Sequence, residues 1–453
     1  MASTTSRMAS LSQKYKDNYI KILESALEAV RPEILLKKNV RLTGEDLKIG
    51  NRKINLRNFE KIHTIGIGKG AQSLYNGLSE VLGEKIDRGL IISNNHSNSG
   101  LNNIKFSYGD HPIPGKNSFL STEKLKHFIL NIRKNDLVIA LITGGSSAMI
   151  ISPPKKISIK EISNLNVLLI SSGASIHEIN CVRKHLSTLK GGRLAKMIYP
   201  AKIISLLISD VTGSDHGIIG SGPFSGDSST FQEALDILTK YSLEKKVGKE
   251  IIDYLNSGVR GRIDETPGLD DPIFKNNISL IIGKNSTALE AAKKKAEQLA
   301  FKTEILTSED SGNIREASKR YGLLIKNRLK EKPQGTKSEL IISGGEFTVN
   351  VKGNGKGGRV QEFLLLLLDE LKDISEPFFV AGIGTDGRDG TTDAAGAWID
   401  VDTLSRLGND PSSEIHKYLN NNNSHNFFKK YGRLIHTGHT GTNVMDVFLF
   451  FFG

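Results

Sequence analysis

Apolar residues along this chain fall into short continuous runs separated by stretches with helical spacing. The first stretch, Leu11 to Val30, places Tyr19, Ile22, Leu23, Ala26 and Ala29 near one helical face. Strand-like runs follow at His63 to Gly68, Gly89 to Ser93, Leu137 to Ile142 and Ile203 to Ser209. The run Leu137-Val138-Ile139-Ala140-Leu141-Ile142 has no polar position, as expected of a parallel strand covered on both faces. Each run leads into turn residues and then a helix candidate, the pattern of βαβ units and a parallel sheet. Gly258 to Asp271, rich in Gly, Asp and Pro, reads as a linker. A second alternating series follows it. There Ile278 to Ile282 precedes a helical stretch from Asn285 to Phe301, and Leu340 to Ile342 and Phe378 to Ala381 read as further strands. Arg433 to His436 reads as a last internal strand, and the apolar run Val447 to Phe452 as a buried closing one.

The pattern predicts an α/β chain of two domains. A Rossmann-like parallel sheet occupies residues 1–260, a smaller α/β domain occupies residues 275–453, and the active site lies in the cleft between them. A length of 453 residues accommodates this. Apolar residues at 38% and charged residues at 24% support packed cores and argue against wholesale disorder. The single cysteine, Cys181, excludes an intrachain disulfide and with it a disulfide-stapled secreted design. No run approaches the ~20 apolar residues of a membrane helix, and the polar start Met1 to Gln13 has no signal-peptide core. A cytoplasmic protein is the expectation. The net charge of +12 comes from scattered Lys and Arg, with short clusters such as Lys293-Lys294-Lys295 on a helix candidate. That distribution reads as a solvated surface that favours anionic substrates rather than nucleic acid or membrane.

Candidate chemistry sits where the runs end. Gly66-Ile67-Gly68-Lys69-Gly70-Ala71 follows the first strand, so its backbone N–H groups and Lys69 can meet a phosphate, although the P-loop spacing is absent. Thr143-Gly144-Gly145-Ser146-Ser147-Ala148 follows the most apolar strand and offers donors for an anion. Its alternatives are a simple helix cap and a serine nucleophile, the latter without the G-x-S-x-G elbow. Asp210 and Asp386 stand at strand ends beside glycine turns, where carboxylates suit a hard cation; an Asx turn is the bland alternative. Arg183 and Lys190 lie in a basic helix-like stretch that fits either an acidic substrate or a solvated face. Ser343-Gly344-Gly345-Glu346 ends another strand. The glycine loop Lys352 to Gly358 delivers Arg359 to a helix start, an entropic cost that implies a binding partner such as phosphate or carboxylate. The asparagine run Asn420 to Asn423 reads as a loop insertion without a function.

These stretches together resemble the glycerate 2-kinase family, whose C-terminal part is called the MOFRL domain. The resemblance is carried in order by Gly66 to Ala71, Gly109 to Pro114, Thr143 to Ala148, Val182 to Gly192, Ser209 to Val211, Gly220 to Pro223, Ser343 to Glu346, Gly357 to Glu362, Gly384 to Gly396 and Thr437 to Asn443. It implies ATP-dependent phosphorylation of D-glycerate at the 2-hydroxyl, with Mg²⁺ or a similar cation. It places the catalytic lysine and arginine at Lys69 and Arg359. It further implies phosphate or substrate binding by Gly68, Gly144, Gly145, Ser146, Ser147, Arg183, Lys190 and Glu346, and a cation near Asp210 and Asp386. It leaves room for a homo-oligomer. Val360 stands where the family usually has Asn, and His439 where it usually has Pro. The run after Asp210, Thr212 to His216, also departs from the usual acidic one. The rival readings are an NAD(P)H-dependent hydroxypyruvate reductase, whose discriminating feature is a dinucleotide-binding glycine turn with an acid about 20 residues later, and a non-catalytic nucleotide or sugar-phosphate sensor.

Overall fold

A computed structural model describes residues 2–94, 103–213, 215–331 and 338–452, with side chains from residue 13 onward. Ser214 of the altered run and the side chain of Leu11 therefore lie outside the described residues. The chain forms two compact units. One comprises residues 32–209 and 214–282, the other residues 1–31, 210–213 and 283–453. This division differs from the expected single boundary between residues 260 and 275. The first helix belongs with the C-terminal half, and the strand at Ile278 belongs with the first sheet.

The first unit opens with a small antiparallel meander of β1 (Val40–Thr43), β2 (Asp46–Ile49) and β3 (Arg52–Asn55). Its main sheet contains β4 (Ile62–Ile67), β5 (Arg88–Ser93), β6 (Ile104–Tyr108), β7 (Leu137–Ile142), β8 (Lys202–Ile208) and β9 (Ile278–Gly283). The strand order is β6-β5-β4-β7-β8-β9. β4 pairs in parallel with both β5 and β7, and β5–β6 and β7–β8 are also parallel. This is the doubly wound order in which the chain winds outward from the centre, first one way and then the other. β4 and β7 are buried at every residue, which their uninterrupted apolar runs dictate. The direction of winding reverses between them, so the loops after β4 and β7 open at the crevice where such sheets bind ligands.

The second unit is built differently. Its sheet holds β10 (Lys302–Asn313), β11 (Glu339–Thr348), β12 (Phe378–Gly384), β13 (Gly396–Asp400), β14 (Leu434–Ile435) and β15 (Asp446–Phe452), in the order β10-β11-β15-β12-β13-β14. Only β10–β11 is parallel; the remaining pairs are antiparallel. The terminal apolar run is thus a buried strand, as its composition requires, but it lies inside the sheet between β11 and β12. Arg433 to His436 supplies only the two-residue edge strand β14. β12 has antiparallel neighbours on both sides, so Asp386 does stand after a strand end, but not at the carboxyl edge of a parallel sheet.

Alternation along β15 explains why the N-terminal helix Ala2–Ala29 joins this unit. Phe448 and Phe450 face the helices, with Phe448 against Phe363 and Phe450 stacked on Tyr321 at 4.9 Å. Phe451 faces the other way and stacks on Tyr15 of the N-terminal helix at 5.3 Å, while Tyr19 packs on Phe379. Phe301 packs on Phe451 as well, so the N-terminal helix completes the cover of this face, where each fully buried aromatic or large aliphatic side chain gains about 1.5–3 kcal/mol. No helix among the described residues is long and apolar enough to cross a membrane.

Candidate functional site

Two clusters of polar groups stand out, one in each unit. In the first unit, the loops after β4 and β7 are laced together. Thr143 N–H donates to the Ile67 carbonyl, Lys69 N–H to the Gly144 carbonyl, and Gly70 N–H to Thr143 Oγ1. Gly68 has a φ of +128°, and a Cβ there would overlap Thr143, so the turn admits only glycine. Lys69 is half-buried. A Cβ on Gly145 would touch the His111 ring and the Lys69 stem, which places these three residues side by side. His111 comes from the Gly109 to Pro114 stretch and was not singled out from the sequence, where a lone histidine carries little signal.

Behind this turn Ser147, Arg183 and Lys190 come together, whereas Glu346 lies in the other unit. Lys190 Nζ donates to the Ser147 carbonyl at 2.7 Å and to Ser147 Oγ at 3.0 Å. Ser147 Oγ lies 2.9 Å from Ser221 Oγ, and Ser221 Oγ donates to Asn180 Oδ1. A carboxamide oxygen only accepts, so the Ser221 proton is committed to Asn180 and the Ser147 proton points to Ser221. The chain of donors runs from Lys190 through Ser147 and Ser221 to Asn180. In that arrangement Ser147 Oγ receives a proton from an ammonium, which is the opposite of what activates a serine nucleophile. Ser146 is buried, its Oγ has no hydrogen-bond partner among the described residues, and it opens a helix of only four residues, Ser146–Met149. The expected helix-start anion cradle is therefore a loop of donors rather than the end of a substantial helix.

Two cations of the basic stretch lie in this cluster without an acid. Arg183 Nε donates to Asn166 Oδ1, and neither Arg183 nor Lys190 pairs with a carboxylate among the described residues. Lys184, one residue along, is neutralised by Asp227 at 3.0 Å. Burial, and secondarily the charge of Arg183, pulls the Lys190 ammonium down to about 7. A buried ammonium without a counter-ion is costly, and an anionic ligand is the natural complement. The solvated-face reading of this stretch is thereby excluded for Lys190, which is 7% exposed.

In the second unit the helix Arg359–Glu370 begins at Arg359. Asp389 caps it from the turn after β12: its two carboxylate oxygens accept from the N–H groups of Val360 at 3.0 Å and Gln361 at 2.8 Å. The preceding residue, Gly358, has no side chain because a Cβ would overlap the Asp389 carboxylate. Asp446, at the start of β15 and fully buried, grips the guanidinium with both oxygens, taking Nε at 2.7 Å and Nη2 at 3.0 Å. Nη1 donates to Glu346. The glycine loop thus delivers Arg359 to two carboxylates of its own chain. Burial opposes the guanidinium charge, but Asp446 and Glu346 outweigh it and hold Arg359 above its ordinary range.

The carboxylates repel one another. Burial pushes the Glu346 carboxyl up to about 7 despite Arg359, with further upward pressure from Asp446, Asp210 and Asp386. Burial likewise raises Asp389 to about 7, against the two backbone donors and with Asp446 adding to the rise. Asp446 is raised by burial, with Arg359 opposing. The Glu346 carboxyl thus feels the charge of both Asp210 and Asp386. Asp386 also accepts from Arg388 N–H at 3.1 Å, the Asx turn that was its bland alternative. Among the described residues no group of three or more His, Cys, Asp or Glu side chains has the geometry to hold a metal ion. Asp446 escaped sequence reading, and so did the capping role of Asp389. Asp446 precedes an apolar strand with no glycine turn beside it, and Asp389 looked like one more acid in a glycine-rich turn.

Comparison with known proteins decides the family. A family model described as a domain of unknown function (DUF4147) matches residues 18–256, and the MOFRL family model matches residues 339–446. The D-glycerate 2-kinase of Thermotoga maritima is 36% identical over 436 residues, covering 95% of this chain and 96% of that protein. This chain belongs to the glycerate 2-kinase family. The glycerate 2-kinase of Pyrococcus horikoshii is 33% identical over 94% of this chain and 95% of its own. The crystal structure of a Thermotoga maritima glycerate kinase superposes with a TM-score of 0.80 at 34% identity, covering 98% of this chain and 100% of that one. A Pyrococcus horikoshii structure gives 0.77 at 32% identity, covering 96% and 98%. Among the residues that carry the resemblance, Lys69, Ser147 and Lys190 belong to the first cluster and Glu346 and Arg359 to the second.

Proposed function

We propose that this chain is a cytoplasmic, ATP-dependent glycerate 2-kinase. The 2-hydroxyl oxygen of D-glycerate attacks the γ-phosphorus of ATP, the bond to the β–γ bridging oxygen breaks, and ADP, 2-phosphoglycerate and a proton are released. The observation that carries this reading is the near full-length likeness to a D-glycerate 2-kinase. Phosphoryl transfer asks a protein for positioning and charge neutralisation rather than covalent chemistry, and each unit supplies suitable groups.

Lys69, with the N–H groups of the Gly68 turn, and Arg359 are the cations we assign to the transferring phosphoryl group. Lys190 and Arg183, with the donors of Gly144, Gly145, Ser146 and Ser147, are assigned to the glycerate carboxylate, whose charge would complete the unpaired Lys190. Glu346 occupies the Arg359 edge that an incoming phosphate would take, and a carboxylate repels phosphate. We therefore place it as a group that exchanges with substrate at that edge rather than as a direct phosphate ligand. A magnesium ion bound to ATP takes most of its ligands from phosphate and water and needs only one or two carboxylates. Asp210 and Asp386 fit that role without a dedicated protein cage, and the ion would supply charge neutralisation on the phosphates.

The test is a coupled assay with purified protein, ATP, Mg²⁺ and D-glycerate, the product being offered to enolase alone and then with a phosphoglycerate mutase. Consumption by enolase alone is expected. Strict dependence on the mutase would overturn the 2-position, and NADH oxidation with hydroxypyruvate in the absence of ATP would revive the reductase reading.

A further inference from the structure

The loop Lys352 to Gly358 contains Gly353, Gly355, Gly357 and Gly358, a composition that ordinarily leaves backbone free to move. Here its donors are taken up by the turn between the helices Pro411–Leu419 and Ser424–Tyr431. The N–H groups of Lys352 and Gly353 donate to Asn422 Oδ1 at 2.7 and 2.9 Å. Asn354 N–H donates to Asn421 Oδ1 at 2.9 Å, Gly355 N–H to the Asn421 carbonyl at 2.8 Å, and Lys356 N–H to Asn423 Oδ1 at 3.1 Å. In return His425 N–H donates to the Lys356 carbonyl. Every backbone donor from Lys352 through Lys356 is thus held by one short segment.

The glycines are the counterpart of this lacing. A Cβ on Gly353 or Gly355 would overlap Asn421, and one on Gly357 would overlap Ser424. Their purpose is close approach, not freedom. Asn422 also ties the loop to the helix it launches, since its Nδ2 lies 3.0 and 2.9 Å from the two oxygens of Glu362, one turn beyond Arg359. Asn422 is buried and holds a φ of +48°, a conformation asparagine tolerates better than most residues.

We propose that Asn421, Asn422 and Asn423 are positioning residues for the phosphoryl-transfer reaction, a strap that fixes the glycine loop so that Arg359 enters its helix in one orientation. The proposal rests on the assignment of Arg359 to the phosphoryl group. A strap of carboxamides suits this task because each side chain oxygen accepts from backbone without adding charge beside a cluster already crowded with carboxylates.

The test uses the full chain with Asn421→Ala and Asn423→Ala combined, which leaves the buried Asn422 in place, and separately Asn422→Gly, which the positive φ accommodates. Each is measured alone and in an Arg359→Ala background, for kcat, for KM of ATP and D-glycerate, and for amide hydrogen exchange of residues 352–356. The strap variants are expected to lose at least ten-fold in kcat with both KM values within two-fold, to exchange those amides at least ten-fold faster, and to lose less than a further two-fold once Arg359 is gone. Equal losses with and without Arg359, unchanged kcat, or unchanged exchange would each overturn the proposal. Normal turnover of Arg359→Ala alone would instead remove Arg359 from the reaction, while amide exchange would still report whether the strap holds the loop.

Discussion

Asp446→Asn tests how Arg359 is held. In the parent, Asp446 is fully buried and accepts from two guanidinium nitrogens, at 2.7 and 3.0 Å. Asparagine keeps the shape but offers one acceptor, and its amide nitrogen then faces a guanidinium N–H, donor against donor. Removing one partner of a wholly buried ion pair costs about 3–5 kcal/mol. The Arg359 side chain is 31% exposed and retains Glu346, so about 2–3 kcal/mol is the reasoned loss here. At roughly 2–4 °C per kcal/mol for a unit of this size, melting should fall by about 5–10 °C. Catalysis should suffer separately, because a misplacement of about 1 Å can cost ~10²-fold in rate. The assay is ATP consumption with D-glycerate at 25 °C, well below the variant's melting temperature, paired with thermal unfolding. A kcat reduced by about ten- to a hundred-fold at nearly constant KM is expected. A lowered melting temperature with unchanged kcat would refute the claim that this carboxylate orients the guanidinium.

The other predictions concern charge, space and metal. Lys190 is a base whose pKa is lowered to about 7 in the folded chain, so above that value the unfolded chain holds a proton that the native one lacks, up to its ordinary pKa near 10.4. Stability without ligand should rise with pH across that window. Glycerate binding at pH 8 should take up a proton, seen as a calorimetric enthalpy that changes between buffers of different ionisation heat; a buffer-independent enthalpy would contradict it. Glu346 is an acid raised to about 7, so its ionised form weakens the fold as pH climbs from about 4.5 through 7. Glu346→Gln should gain about 1 kcal/mol at pH 8 and nothing at pH 4, the figure being kept small because 41% of the side chain is exposed and its charge is screened; a gain independent of pH would count against this reading. Gly358→Ala should dislodge the Asp389 cap and cost about 1–2 kcal/mol in chemical denaturation, whereas parental stability would show that the cap can move aside. Chelation of divalent cations should abolish turnover while leaving the melting temperature within about 1 °C, since the cation is proposed to arrive with ATP; a large drop in melting temperature would point to a structural ion instead.

The sequence was legible where one physical requirement dominates a stretch. Leu137 to Ile142 must be a strand buried on both faces because it has no polar position, and β7 has those bounds. The turn at Gly68 was legible as a tight glycine turn, and its φ of +128° shows why glycine stands there. Reading became unreliable where an element owes its state to distant partners. β10 has exposed or half-buried positions throughout, and only pairing with β11 makes it a strand. The two-residue β14 is fixed by β13, not by its own composition. The mixed character of the second sheet was hidden for the same reason, since an apolar run such as Val447 to Phe452 is equally suited to parallel and antiparallel neighbours.

The site followed the same division. Lys69 and Arg359, the cations proposed to act, stood out because each is a charge beside glycines, one after an apolar run and one after a glycine loop. The groups that hold them did not, because holding is done by side chains that resemble ordinary loop residues. Asp389 caps a helix that starts 30 positions earlier, and Asn421 to Asn423 bind a loop some 70 positions away. Such pairings have no local period or spacing to betray them. They also reverse the meaning of the glycine loop. Read alone, its glycines suggest motion awaiting a ligand; in the fold they are the flat surface against which another backbone lies. A glycine-rich approach to a functional arginine is therefore evidence of close packing as much as of flexibility, and only the partner segment tells the two apart.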